Sequence, residues 1–313
     1  MRFMLSALIL AMAAAPALAQ PRVIASVVPV HGIVSAVMGD TGKPELLLEG
    51  SLSEHRAKFT PQQIAALGQA DLVFIVGQGL EAKLSQLSGS EAVNGKRFVE
   101  LALAPGVTTL PIREGGAWES HDHDHDHDHD HDHDHGEEAG VLKFDPHVWL
   151  DPVNARAMAD AVAEALAKAD PANAATFKAN AAAFAKSLEE EQSQIAAELT
   201  PVKDRPYVVF HDAYQYFEKR FGLSAAGSIS DVSAQAPSAE RLAEVRKKIE
   251  DVKAVCVFRE PQYDGKPVAV VIEGIGAKEG VLDPLGAALA PGPQAYQQLL
   301  RNLAADLKAC LAG

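Results

Sequence analysis

The chain has 313 residues, 48% hydrophobic and 22% charged, an ordinary globular balance with length enough for two compact lobes. A disordered or fibrous protein is thereby excluded. With 28 Lys and Arg against 42 Asp and Glu the formal net charge is -14, so nothing in the balance draws the chain to nucleic acid or to an anionic membrane surface, and its partners should be neutral or cationic.

Residues 1–19 read as an export signal: Arg2 is the positive start, an apolar run covers 3–15, and Ala17-Leu18-Ala19 forms a small-x-small cleavage site before Gln20. The run is shorter than the roughly 20 residues that span a bilayer, and no cysteine follows the cleavage site, so a soluble exported product without a lipid tether is expected. From Val23 short apolar stretches at 23–28, 46–48, 71–76 and 98–101 alternate with helical patterns at 32–38, 60–67 and 80–87. Thr60-Pro61 supplies a cap followed by proline at the first helical position. This alternation predicts an N-terminal α/β lobe over 20–168 with a largely parallel sheet.

Inside that lobe, His and Asp alternate strictly from His121 to His135, giving eight His and seven Asp. A tract with no apolar residue cannot bury a core, so a disordered loop at about 114–140 is expected. Asp170-Pro171 then opens a helix that runs to Leu199, where Pro201 stops it. Phe177, Ala181, Phe184, Leu188, Ile195 and Leu199 give it one apolar face. Within this linker helix, 170–200, residues 172–199 would span roughly 42 Å and act as a rigid strut between lobes. Further elements at 207–210, 213–221, 238–252, 254–258, 267–275, 281–282 and 293–311 predict a second α/β lobe over 205–313.

Outside the tract only His31, His55, His147 and His211 remain of the twelve histidines. His55, His147 and His211 fall in loops or at strand ends, where open α/β sheets deliver ligand-binding side chains. Singly each could be structural; together, beside a His-rich loop in an exported chain, they point to metal. His31 in Pro29-Val30-His31-Gly32 reads as a helix-start residue or a spare cleft ligand.

The segments Ser53-Glu54-His55, Asp145-Pro146-His147-Val148-Trp149-Leu150, Phe210-His211-Asp212-Ala213-Tyr214 and Asp283-Pro284-Leu285-Gly286 resemble the ZnuA-type periplasmic zinc-binding proteins of ABC transporters, in order and over nearly the whole mature chain. Arg56-Ala57-Lys58 departs from the Asp-Tyr commonly found after the first histidine. The resemblance implies two open α/β lobes with mainly parallel sheets joined by a long helix, and one metal between them. His55 and His147 would come from the first lobe and His211 from the second. Family practice points to Glu54 as fourth ligand, with Asp283 used by some relatives and water a further possibility. Three imidazoles with one oxygen suit tetrahedral Zn(II), whereas manganese would want more oxygen.

The resemblance also implies a cysteine pair in the second lobe. Cys256 and Cys310 are the only cysteines, and an oxidising compartment favours their disulfide, worth on the order of 4 kcal/mol in the chain-entropy model. The implied function is periplasmic capture of zinc by a monomer and delivery to an inner-membrane ABC permease with its ATPase. Additional, weaker zinc ions are expected on His121, His123, His125, His127, His129, His131, His133 and His135. Two other readings use the same site: a zinc-dependent hydrolase, disfavoured because no His-Glu-x-x-His motif occurs, and a metal-buffering chaperone or adhesin. Gly95-Lys96-Arg97 lacks the rest of a Walker motif, so the chain is not itself an ATPase.

Overall fold

The computed structural model describes residues 20–77, 79–90, 93, 97–113, 118 and 144–313. The expected export signal and the 121–135 tract lie outside the described residues. Among the described residues, two four-stranded parallel sheets carry the fold. In the first, β1 (Val23–Ala25), β2 (Glu45–Leu46), β3 (Leu72–Ile75) and β4 (Phe98–Glu100) stand in the order β2-β1-β3-β4, with Ile24 opposite Val73. In the second, β5 (Tyr207–His211), β6 (Ser228–Ser230), β7 (Cys256–Arg259) and β8 (Lys278–Val281) repeat the pattern as β6-β5-β7-β8. In both sheets the chain leaves its first strand toward one side and then crosses to the other. The resulting switch points lie beyond the C-terminal ends of β1 and β3 and of β5 and β7, where such sheets open a crevice.

Helices α1 (Val28–Met38), α2 (Pro61–Gln69) and α3 (Ala82–Ser88) belong to the first sheet, and α6 (Gln215–Phe221), α7 (Ala239–Val252), α8 (Lys266–Ile272) and α9 (Ala295–Leu311) to the second. Between them run α4 (Pro152–Ala169) and α5 (Ala174–Leu199). Thr60 begins α2 with a reciprocal cap: its hydroxyl accepts from Gln63 N–H while the Gln63 side chain accepts from Thr60 N–H. Asp151 caps α4 through Val153 N–H at 2.8 Å, with Pro152 in the first turn.

The 26-residue α5 buries the stripe Phe177, Ala181, Phe184, Leu188, Ile195 and Leu199. It packs on α1, α4 and α9, so it touches helices from both halves of the chain. One apolar core accordingly runs from Val23 and Phe74 through Phe184 to Tyr207, Phe258 and Tyr296. Polar bonds lock the same seam: Trp149 Nε1 donates to Pro284 O at 2.9 Å, Tyr296 OH to Trp149 O at 2.6 Å, and Tyr216 OH to Asp145 O at 2.7 Å. A seam that shares core and buried hydrogen bonds resists free hinging. Cys256 on β7 and Cys310 on α9 form a disulfide.

Local differences from the sequence expectation have local causes. α1 starts at Val28 rather than 32 because Pro29 falls in its first turn, where a missing N–H costs nothing. α4 and β6 have no predicted counterpart; Ser-Ile-Ser is too short and polar to register as a strand. β8 occupies 278–281 instead of 281–282, an edge strand whose Lys-Glu-Gly-Val composition hides its pairing with β7.

At Gly32, α1 meets α9 so closely that a Cβ there would lie 2.7 Å from Tyr296 N and 3.1 Å from Tyr296 Cβ. Backbone cannot yield as a side-chain tip can. Gly32→Ala should therefore destabilise the fold by about 1–2 kcal/mol despite alanine's better helix propensity, read as a lowered Tm. An unchanged or raised Tm would mean that α1 and α9 are not in fixed contact.

Candidate metal centre

Each histidine of the cleft is delivered by a different local device. His55 follows Glu54 in a single helical turn, Glu54–Arg56, reached through the long loop after β2. His147 precedes the turn Val148–Leu150 that leads into α4. His211 is the last residue of β5, at the switch point of the second sheet. The three rings stand edge to face, with centroids 5.1 to 5.8 Å apart. One donor atom from each of Glu54, His55, His147 and His211 can be chosen so that all four lie within 4.8 Å of one another.

Carboxylates orient two of the rings. His147 Nδ1 lies 2.8 Å from Asp145 Oδ1, which also accepts His147 N–H at 3.0 Å. His211 Nδ1 lies 2.7 Å from Glu260 Oε2, and Glu260 Oε1 accepts from Tyr214 OH at 3.1 Å. A carboxylate at Nδ1 assigns the proton there and leaves Nε2 as a lone-pair donor. The two Nε2 atoms, of His147 and His211, face each other at 3.2 Å. At that distance a shared proton or a metal ion must lie between the two nitrogens.

Burial sharpens the demand. Glu54 is 3% exposed, His147 and His211 0%, and neither Glu54 carboxylate oxygen nor His55 Nε2 has a hydrogen-bond partner. Burial pushes the Glu54 carboxyl up to about 7, against the lowering effect of His211. It holds His55 and His147 well below the usual imidazole range, helped by the mutual proximity of the rings. Burial opposes charge on His211 as well, but Glu260, Glu54 and Asp212 outweigh it and raise that ring. Asp145 is also pushed up to about 7 by burial. The pocket thus gathers buried electron-pair donors, three of whose atoms meet no protein hydrogen, which is costly unless a cation completes it.

Asp283 is not part of this cluster. Its Oδ1 accepts from Gln262 Nε2 at 2.7 Å, Leu285 N at 3.1 Å and Gly286 N at 2.8 Å, and its Oδ2 from Ala287 N at 2.6 Å. A carboxylate engaged by four N–H donors serves a turn. His31 also stands apart, buried in α1 with Nε2 near Pro44 O at 3.1 Å and Nδ1 near Ser35 Oγ at 3.3 Å. The eight histidines of the 121–135 tract lie outside the described residues. Glu260 escaped the sequence reading. Its signal was available, an acidic residue ending the apolar run of β7, but only topology reveals that β7 neighbours the strand carrying His211.

The family model for ZnuA, the periplasmic component A of the zinc-uptake complex, matches residues 23–310. The chain belongs to the ZnuA family. It is 45% identical over 306 residues to the high-affinity zinc uptake system protein ZnuA of Brucella suis, covering 93% of this chain and 91% of that protein. A crystal structure of ZnuA superposes with a TM-score of 0.76 at 26% identity, over 94% of this chain and 100% of the other. The periplasmic zinc-binding protein TroA of Treponema pallidum, at 22% identity and TM-score 0.77 over 94% and 99% of the two chains, shares the fold.

Another buried carboxyl, Glu81, immediately precedes α3, 2% exposed, with Oε2 accepting Gly77 N–H at 2.9 Å. Burial raises it to about 7 from 4.5. Between those values the folded chain binds more proton than the unfolded one, so Glu81 makes stability fall as pH rises through about 4.5 to 7. Glu81→Gln in the metal-free protein should gain Tm relative to the parent at about pH 7.5 compared with about pH 5. A difference independent of pH would show that Glu81 titrates normally.

Proposed function

We propose that the chain captures one Zn(II) ion outside the inner membrane and delivers it to an ABC permease driven by its ATPase. Glu54, His55, His147 and His211 hold the ion between the lobes, taken as 20–168 and 205–313 about the 170–200 helix. The observation that carries this reading is the buried convergence of four donors within 4.8 Å, three of whose atoms lack any hydrogen-bond partner. Three neutral imidazoles and one carboxylate match the number and hardness of ligands that tetrahedral zinc takes. Membership of the ZnuA family supports the same ion.

Four protein donors fill a zinc coordination sphere, whereas hydrolytic zinc keeps one position for water. Capture, not catalysis, follows, and the chain is not an enzyme. In this reading residues 1–19 are removed on export, the mature protein works in the periplasm as a monomer, and the 121–135 tract gathers further zinc weakly. Imidazoles in a tract of alternating His and Asp, with no apolar residue, must lose conformational freedom before sharing an ion.

Zinc titration against a chromophoric chelator tests the assignment. Protein lacking 121–135 should retain one tight equivalent and lose the weaker ones. His211→Ala in that background should weaken the tight equivalent at least about 100-fold, and Glu260→Gln, which leaves the ligand but loosens its orientation, by about 10–100-fold. Tight binding surviving His211→Ala would refute the ligand set, and its loss on removing the tract alone would make the tract the principal site.

A further inference from the structure

The two ligands Glu54 and His55 sit at the end of an exposed loop: Glu49, Gly50, Ser51 and Leu52 are all exposed, and Gly50 adopts φ +67°. A loop of this kind has little of its own to fix two side chains to the tolerance a metal requires. The side-chain bonds on either side of the pair cross to the second lobe. Ser53 Oγ lies 2.9 Å from Tyr263 OH. Arg56 Nη2 donates to Ala234 O at 2.5 Å, with its guanidinium 5.7 Å from the Tyr263 ring centroid.

The receiving surfaces are built to stay in place. Tyr263 stacks on Phe210 at 4.9 Å and 20°, next to the ligand His211, and its ring lies 5.7 Å from that of His211. It belongs to the segment after β7 that also supplies Glu260, the orienting partner of His211, and its N–H donates to Glu260 O at 3.3 Å. Ala234 occupies the left-handed region at φ +53°, a conformation that costs a residue with a Cβ and persists only where surroundings enforce it. Here Asp231 does so: its Oδ1 accepts from Ser233 N at 3.0 Å and Gln235 N at 3.3 Å, and Ser230 Oγ donates to Gln235 O. The turn thereby presents the Ala234 carbonyl to Arg56.

We propose that Ser53, Arg56 and Tyr263 form a clasp by which the second lobe positions the first lobe's ligand pair Glu54–His55, and that this clasp sets how long a captured ion is held. The inference rests on the zinc-capture reading above and adds to it three positioning residues that touch no metal. Opening the clasp frees the loop, and two of the four donors leave together. Entry of the ion does not need the clasp, because the loop can close after the first contacts form. The effect therefore falls on dissociation.

The test uses the mature protein with Arg56→Met, Tyr263→Phe and Ser53→Ala, each singly, and Arg56→Lys as the conservative variant. Zinc dissociation into excess chelator and association by stopped flow are measured together, and Co(II) serves as a spectroscopic probe of ligand geometry. Expected are a dissociation rate raised about tenfold in Arg56→Met, the loss of a hydrogen bond from a charged donor, and a smaller rise in Tyr263→Phe and Ser53→Ala. Association should stay within about twofold, the cobalt bands should shift, and Arg56→Lys should recover much of the loss. Ser53→Ala keeps the assay available if a Tyr263 variant does not fold. Parental dissociation rates and cobalt spectra in the variants, even with a lowered Tm of the metal-free protein, would overturn the clasp while leaving zinc capture intact. Failure of the parent to bind one tight equivalent would instead overturn the capture reading itself.

Discussion

Three imidazoles and a carboxylate are withdrawn from water at one point on the seam between two sheets, and most of the surrounding architecture answers to that. Unpaired donors in a low-dielectric pocket destabilise a fold by several kcal/mol unless something repays the desolvation. The chain repays part of it with Asp145 and Glu260, which take the Nδ1 side of His147 and His211. The two Nε2 atoms face each other, His55 Nε2 and the Glu54 oxygens have no hydrogen-bond partner, and the capture reading proposed above gives all of them to the ion. Glu260 also raises the His211 ring, and on the capture reading proposed above these carboxylates link the geometry of the ligands to their affinity for the ion.

Holding such a pocket at a seam requires lobes that do not drift. The shared core through α5, the Trp149 and Tyr296 bonds and the Asp151–Arg220 pair at 2.7 Å all fix one half of the chain against the other. Arg113 adds a further cross-seam tie to Asp212 and Glu218, and its side chain stacks 3.5 Å from the Trp118 ring centroid. Large rigid-body closure is poorly suited to this construction. Local motion of the loop that carries Glu54 and His55 is the less costly route to letting an ion in or out, since its exposed residues place little apolar surface at stake.

Much of this was legible in the residues. The scarcity of histidine outside the 121–135 tract singled out His55, His147 and His211, and the apolar stripe from Phe177 to Leu199 announced a long packed helix. The structure brings those three histidines together with Glu54 and leaves Asp283 to a turn. That turn could not be read in advance, because three backbone N–H donors converge on Asp283 only once the 283–287 backbone is folded, and the fourth comes from the Gln262 side chain. Nor could Glu260 or Tyr263: each acts on a residue about 50 or 210 positions away, at His211 and Ser53. Periodicity reports which face of an element is buried, but not which strand lies beside which. The short polar strands β6 and β8 were obscure for the same reason, since their membership of the sheet is decided by neighbours and not by their own composition.

The central claim is that zinc is held by three imidazoles and one carboxylate drawn from both lobes. X-ray absorption at the zinc edge, on mature protein lacking 121–135 and loaded with one equivalent, addresses it most directly. The account predicts four-coordinate zinc with three imidazole nitrogens at about 2.0–2.1 Å and one oxygen at a similar distance, and one imidazole fewer in His211→Ala. A six-coordinate, oxygen-dominated shell, or an imidazole count unchanged by His211→Ala, would contradict it.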